Sequence, residues 1–304
     1  MLARNFTLFR FPVSALPTEG TAGVPGLESC RLAPVGPVDL VSQGFVSPLG
    51  RDYEKLAVTT ADAAWITVGS EERVLPIAAV HEALARKLAA FEQQQGRKPG
   101  GRLRKLMKDE LVLEMLPRAF VRPRRLDVIF DLQLGICAVD TPSRKAAESA
   151  VSEIRRALGS FPALPLNAEI SPRAVLTGWI AGDPLPEGLS LGEECELKSA
   201  DDQGAVVRCQ RQDLQSEEIA HHLESGKQVT KLALNMDDHV SFVLGEDLVI
   251  RKWKFLDGAV DQLEATDSDD IRAELDARFA LMSGEFRSLF AILEPALKLS
   301  KADA

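Results

Sequence analysis

Apolar positions along the chain follow two periodicities. Near the start, Phe6, Leu8, Phe9 and Phe11 make a short strand-like run that stops at Pro12. Residues 18–48 are rich in Gly and Pro and read as loop with short elements. The string Ala-Trp-Ile-Thr-Val at 64–68 predicts a strand ending at Gly69. The spacing then becomes helical. Pro76, suited to a first turn, opens a helix with Ile77, Val80, Leu84, Leu88 and Phe91 on one face, closing near Gln95-Gly96. Pro99-Gly100-Gly101 is a turn. A second helix then carries Leu103, Leu106, Met107, Leu111, Leu113 and Met115 and ends before Pro117.

Beyond this helical hairpin, residues 126–130 and 136–139 predict two strands around a turn at Leu134-Gly135. Asp140-Thr141-Pro142 starts a helix, capped by Asp or Thr, with Ala147, Ala150, Val151, Ile154 and Leu158 apolar and Gly159 at its end. The Pro-rich piece 161–172 reads as a linker. Further on, 195–197 and 205–209 predict strands. A helix begins at Ser216 with Glu217 and Glu218 at its positive end, and Gly226 terminates it. Strands follow at 229–235, 240–244 and 248–255, then two helices at 269–282 and 285–297. The class is α+β, with antiparallel sheets, packed helices and a projecting helical hairpin. The division this suggests is a central α+β domain of residues 1–75 plus 117–166, the hairpin at 76–116, and a C-terminal α+β domain at 167–304.

Composition narrows the class. The chain has 304 residues, 45% hydrophobic and 27% charged, which is globular usage and excludes a disordered protein. The longest uncharged run, 157–168, contains two prolines and falls short of the roughly 20 apolar residues of a membrane span. Arg4 and Arg10 precede no long apolar region, so no signal peptide is read. Cys30, Cys137, Cys195 and Cys209 form no CxxC pair; they read as small core residues of a reduced, cytoplasmic protein.

Charge changes the picture more. The net charge is −9, which taken alone argues against nucleic acid. Yet residues 86–125 hold twelve Lys/Arg against four Asp/Glu, so the rest of the chain carries −17. Residues 257–304 hold eleven acids against five bases. One basic zone on an acidic body can bind a polyanion, because charges beyond about 8–10 Å are screened. Arg97, Lys98, Arg102, Arg104, Lys105 and Lys108 crowd the hairpin turn, and Arg118, Arg122, Arg124 and Arg125 continue the zone. Phe120, between Arg118 and Arg122, is either a buried aromatic or a group that stacks on or wedges between bases.

Catalytic signals are weaker. Glu218 and His221 form one Glu-x-x-His pair without a second copy, and with His222 read as a solvated helix face. His81 and His239 have no evident partners in the sequence. Asp267, Asp269 and Asp270 form an acidic cluster that a helix start explains. No Walker loop, GxGxxG after a strand or GxSxG elbow occurs, so no cofactor is indicated. Two alternatives stay open: a protein-interaction scaffold using the basic hairpin, and a metal-dependent enzyme using Glu218, His221 and the aspartates.

Several strings, in order and across nearly the whole chain, carry a resemblance. They are Phe45-Val46-Ser47-Pro48-Leu49-Gly50, Leu116-Pro117-Arg118-Ala119-Phe120, residues 158–166 (LGSFPALPL), 213–219 (DLQSEEI), 226–234 (GKQVTKLAL) and 281–285 (LMSGE). Together the chain resembles the recombination-associated protein RdgC family. The resemblance implies a non-enzymatic, cofactor-free, cytoplasmic and nucleoid-associated protein. It implies a ring-shaped homodimer whose positively charged hole takes double-stranded DNA with little sequence preference, and single strands more weakly, limiting RecA access to DNA. It implies DNA-facing roles for Arg118, Phe120 and Arg122, and for Arg211 and Gln212, where relatives resemble Lys-Gln. Lys227 and Lys231 are expected along the hole. Lys98, Arg102, Arg104 and Lys105 are expected at the DNA or at the subunit junction. The added charge of Pro123-Arg124-Arg125 departs from the family pattern.

Overall fold

A computed structural model of the chain describes residues 3–16, 24–199, 204–259 and 271–301. The elements, in chain order, are β1 (Thr7–Arg10), β2 (Val41–Val46), β3 (Ala57–Thr59), β4 (Ala63–Val74), α1 (Ile77–Gln95), α2 (Gly101–Met115), β5 (Phe120–Asp131), β6 (Ile136–Val139), α3 (Arg144–Leu158), β7 (Leu164–Pro165), α4 (Pro172–Ala181), β8 (Leu189–Ser199), β9 (Val206–Gln210), α5 (Glu217–Glu224), β10 (Lys227–Met236), β11 (Val240–Gly245), β12 (Ile250–Phe255) and α6 (Ile271–Leu297). The α+β class holds. Residues 1–27, 47–67 and 126–304 form one compact unit, and 28–46 with 68–125 form a second. No helix among the described residues is long and apolar enough to cross a membrane.

In the first unit, strands run in the order β4-β5-β6-β1-β7, with β3 also on β4. A second, antiparallel sheet has the order β12-β11-β10-β8-β9. Phe6 and Ile250 exchange backbone hydrogen bonds of 2.7 and 3.0 Å, which ties the start of β1 to β12. One continuous apolar cluster draws Leu8, Trp65, Ile129 and Ala138 from the first sheet, Leu197, Val229, Leu232 and Phe242 from the second, and the buried faces of α4 and α6. On α6, Phe279, Met282, Phe286, Leu289, Leu293 and Leu297 are buried at helical spacing.

This stripe explains a departure from expectation. In place of two closing helices there is one, running through Ser283-Gly284. The Ser283 hydroxyl donates to Phe279 O at 2.9 Å, which satisfies it inside the helix. The start expected at Asp269, and the aspartates 267, 269 and 270, lie outside the described residues.

Other boundaries differ for equally local reasons. The strand expected to stop at Gly69 continues to Val74. A Cβ at Gly69 would lie 2.8 Å from the Val46 side chain and 3.0 Å from Leu32, so this glycine serves close packing rather than termination. The helix expected to be capped by Asp140 or Thr141 is capped by Ser143, whose hydroxyl accepts from Ala146 N. Asp140 is committed elsewhere, accepting from the backbone N–H groups of Arg4 and Asn5 at 3.0 and 2.8 Å. The piece 161–172 is packed rather than a linker: Phe161 is buried against Phe11 and Phe130, and β7 pairs with β1.

One carboxylate joins three segments. Asp131, buried at the end of β5, accepts from the N–H groups of Gln133 and Leu134 at 2.9 and 2.8 Å, which fixes the β5–β6 turn. Its other oxygen takes the Arg287 guanidinium from α6, and Arg287 also donates to Asp62 O at 2.9 Å. Breaking a buried pair by removing one partner strands a charge. Arg287→Ala is therefore expected to cost about 3 kcal/mol in urea denaturation at unchanged m-value. A loss below about 1 kcal/mol would mean the pair holds nothing together.

Candidate nucleic-acid interface

The second unit carries most of the candidate cations. Its residues 28–46 and 68–125 hold fourteen Lys/Arg against nine Asp/Glu, a balance of +5 in a chain of −9, so the first unit's residues carry −14. Here β2, β4 and β5 lie side by side, and α1 and α2 form the hairpin around a small core of Leu84, Met107 and Leu111. Gly96 closes α1 in the left-handed conformation, φ 66°, as a helix C-terminus favours.

β5 begins at Phe120, six residues earlier than the apolar pattern suggests. Its first six residues are all exposed, so no alternation marks them. Phe120 stands 87% exposed, which removes the buried-aromatic account. Residues two apart share a strand face, so Phe120, Arg122 and Arg124 lie in a row. Both arginines reach Glu72 on β4, at 2.7 and 3.3 Å. The hydrogen bond from Arg122 holds the Glu72 carboxyl below its usual range.

Arg118 ends a 3-10 turn, Leu116–Arg118, anchored by the buried Leu116. Arg73 braces this turn, donating to Leu116 O at 3.0 Å and to Gly36 O at 2.9 Å. Arg118 itself is exposed and makes no ion pair among the described residues. The structure thus brings Arg118, Phe120, Arg122 and Arg124 onto one short stretch of surface.

The hairpin cations Lys98, Arg102, Arg104 and Lys105 are exposed, without ion pairs among the described residues. An open groove of about 730 Å³ at the turn is lined by Phe91, Leu103 and Leu106 together with Lys98, Arg102 and Lys105. This apolar and predominantly cationic lining, with Asp109 its one acid, suits a polyanion or an acidic partner equally.

The remaining four candidates lie in the first unit. Arg211 is exposed and adopts φ 56°, a left-handed conformation that costs a non-glycine residue about 1 kcal/mol. Gln212 is held by Glu218, donating at 2.6 Å. That contact accounts for Glu218, while His221 approaches Glu224 at 3.8 Å. Lys227 donates to Ser225 Oγ at 2.9 Å. Lys231 is bound to Glu196 at 3.0 and 3.1 Å, and the same carboxylate takes Arg208 at 2.8 Å and the Thr230 hydroxyl at 3.1 Å. Burial alone would raise the Glu196 carboxyl; the hydrogen bonds from Arg208, Lys231 and Thr230 outweigh it and hold it at about 2. Lys231 is therefore partly neutralised, whereas Arg211 makes no ion pair among the described residues.

Sequence reasoning missed Arg73, Glu72, Glu196 and Arg208. Each acts across neighbouring strands or a turn, and nothing in its local string marks it. No group of three or more metal-ligating side chains occurs among the described residues.

A family model described as "Putative exonuclease, RdgC" matches residues 1–300. A protein named "Recombination-associated protein RdgC" from Xanthomonas campestris pv. campestris is 61% identical over 305 residues, covering all of both chains. Proteins of the same name from Xanthomonas axonopodis pv. citri and Xylella fastidiosa are 60% and 59% identical, again over the full length of both.

Two outcomes follow from this geometry. Phe120→Ala is expected to change unfolding stability by less than about 0.5 kcal/mol, because an exposed ring contributes little packing; a loss of about 3 kcal/mol, typical of a core aromatic, would contradict its exposure. Glu196→Gln is expected to cost about 1–2 kcal/mol at pH 7. The Glu196 contribution is complete above its ordinary value of 4.5 and is lost as pH falls toward about 2. The gap between variant and wild type should therefore close over that window in denaturant titrations, and a gap that widens would reverse the sign.

Proposed function

Because the chain belongs to the RdgC family over its whole length, we propose that it binds DNA without catalysis, as a ring-shaped homodimer that encircles the duplex and limits RecA access to it. The observation that carries this reading is the exposed row of Arg118, Phe120, Arg122 and Arg124 within a unit of +5, on a chain of −9. Phosphate binding needs cations spread along a surface, not a fixed constellation, and it carries no sequence information. Arg118 and, at the hairpin turn, Lys98, Arg102, Arg104 and Lys105 supply such cations without an ion pair among the described residues, whereas Arg86 and Lys87 on α1 are paired to Glu82 and to Glu110 and Glu114. Arg122 and Arg124 supply two around one carboxylate. Phe120 offers an apolar face to stack on or wedge against bases, which supports weaker single-strand binding as well. Arg211 adds a cation in the first unit, and Gln212 a polar donor. The duplex, single-stranded DNA and a second copy of the chain are the partners, and nucleoid association follows from the first.

Enclosure explains how such a protein competes with RecA. A closed ring leaves its site by sliding or opening rather than by losing one contact at a time, so residence outlasts what the phosphate contacts alone give. An acidic exterior keeps rings from clustering on one another.

A second reading, an exonuclease, is favoured by the description of the matching family model. A single assay separates the two. Labelled duplexes of two unrelated sequences, about 30 bp each, are titrated with the protein between about 50 and 200 mM salt, with and without magnesium or manganese. The expected result is equal affinity for both sequences, a log–log salt slope of several, and intact strands. Arg118→Glu with Arg211→Glu is expected to weaken binding by at least about tenfold while sedimentation still reports a dimer. Salt-independent binding, or strands shortened from their ends, would overturn the reading.

A further inference from the structure

We propose that Cys195 and Cys209 form a reversible cross-strand disulfide when the protein meets a peroxide. The two residues face each other directly in the antiparallel β8–β9 pair. Opposed residues in such a pair have Cα atoms about 4.5 or 5.5 Å apart, within the 4.4–6.8 Å that a disulfide spans. Both are buried. The other cysteines lack this arrangement. Cys137 stands opposite Phe9 and Phe130, and Cys30 lies in a 3-10 turn of the second unit.

The order of events follows from position. β9 is the edge strand of its sheet, and Cys209 is its only buried residue. Small openings of this edge reach Cys209 before Cys195, which sits one strand further in. Burial, with the neighbouring Cys209 adding to it, pushes the Cys195 thiol up to about 12, so it waits protonated. The Cys209 thiolate attacks one peroxide oxygen. The O–O bond breaks, the leaving hydroxide takes up the proton that Cys209 released and departs as the first water, and Cys209 becomes a sulfenic acid, oxidised by two electrons as the peroxide is reduced. The Cys195 sulfur then attacks the Cys209 sulfur. The S–O bond breaks, and the departing hydroxide takes the Cys195 proton. Two thiols and one peroxide give one disulfide and two waters.

The site has a structural consequence. Arg211, in its left-handed conformation, follows Cys209 by two residues, and the Gln212 N–H donates to Glu193 O on β8 at 3.3 Å. A bond between β8 and β9 therefore fixes the corner that carries Arg211 and Gln212. This inference stands on strand register and is independent of DNA binding.

The test uses the full-length reduced protein, hydrogen peroxide, alkylation and peptide mapping without reductant. The expected product is a Cys195–Cys209 linked peptide, two hydrogens lighter than the free pair and restored by dithiothreitol. Amide exchange over residues 206–212 should slow by about tenfold in the linked form. In Cys195→Ser, Cys209 should be trapped as a dimedone adduct; in Cys209→Ser, Cys195 should stay alkylatable. Both thiols still free after a large excess of peroxide, or Cys209 carried to the sulfinic acid without a link in the wild type, would overturn the proposal.

Discussion

Fixed charges in water act over about 8 Å at physiological ionic strength, and that distance governs what an acidic protein can hold. A chain of −9 presents a polyanion with net repulsion unless its cations are gathered where acids are sparse. The sequence gathers them between residues 86 and 125. The fold keeps them together in a unit of +5, while the first unit's residues carry −14. Where an acid does enter the basic row, it is shared: Glu72 serves Arg122 and Arg124 at once, which leaves one net positive charge beside Phe120. The contrast with Lys231 is instructive. There Glu196 binds two cations from a half-buried position, and what remains for an external phosphate is smaller.

The same constraint shapes the packing. The hairpin buries little, with Leu84, Met107 and Leu111 at its centre, and Leu106 and Leu113 remain more than half exposed. Phe120 is left in solvent although burying such a ring is worth about 2–3 kcal/mol. Exposed apolar groups set among cations mark a surface built for contact rather than for stability. Stability is concentrated in the first unit, where one apolar cluster spans both sheets and the buried Asp131–Arg287 pair joins β5, α6 and the turn at Asp62.

What the sequence could and could not disclose follows from how local each signal is. The hairpin helices were legible because Pro76, Gly96 and Pro117 punctuate a clear helical stripe, and both ends fall where those residues put them. The outer halves of β4 and β5 were not, because Gly69 packs against a neighbouring strand and residues 120–125 show no buried face. Pro-rich 161–172 looks like a linker, yet Pro165 lies in the edge strand β7 and Pro172 opens α4, and the burial of Phe161 depends on Phe11 and Phe130, distant in sequence. In the candidate site, Arg118, Arg122 and the hairpin cations could be named from charge density alone. The exposure of Phe120, the sharing of Glu72, the brace from Arg73 and the opposition of Cys195 to Cys209 all depend on strand neighbours. A reading of single strings cannot see them.

Enclosure of the duplex is the central claim, and topology tests it without reference to any single residue. Complexes are formed at low salt on closed circular and on linear duplexes of the same sequence, then shifted to high salt, and the protein retained on each is measured over time. The account predicts that linear molecules shed the protein from their free ends while circles retain it. Equal loss from both would contradict enclosure and leave only a surface that binds phosphate from one side.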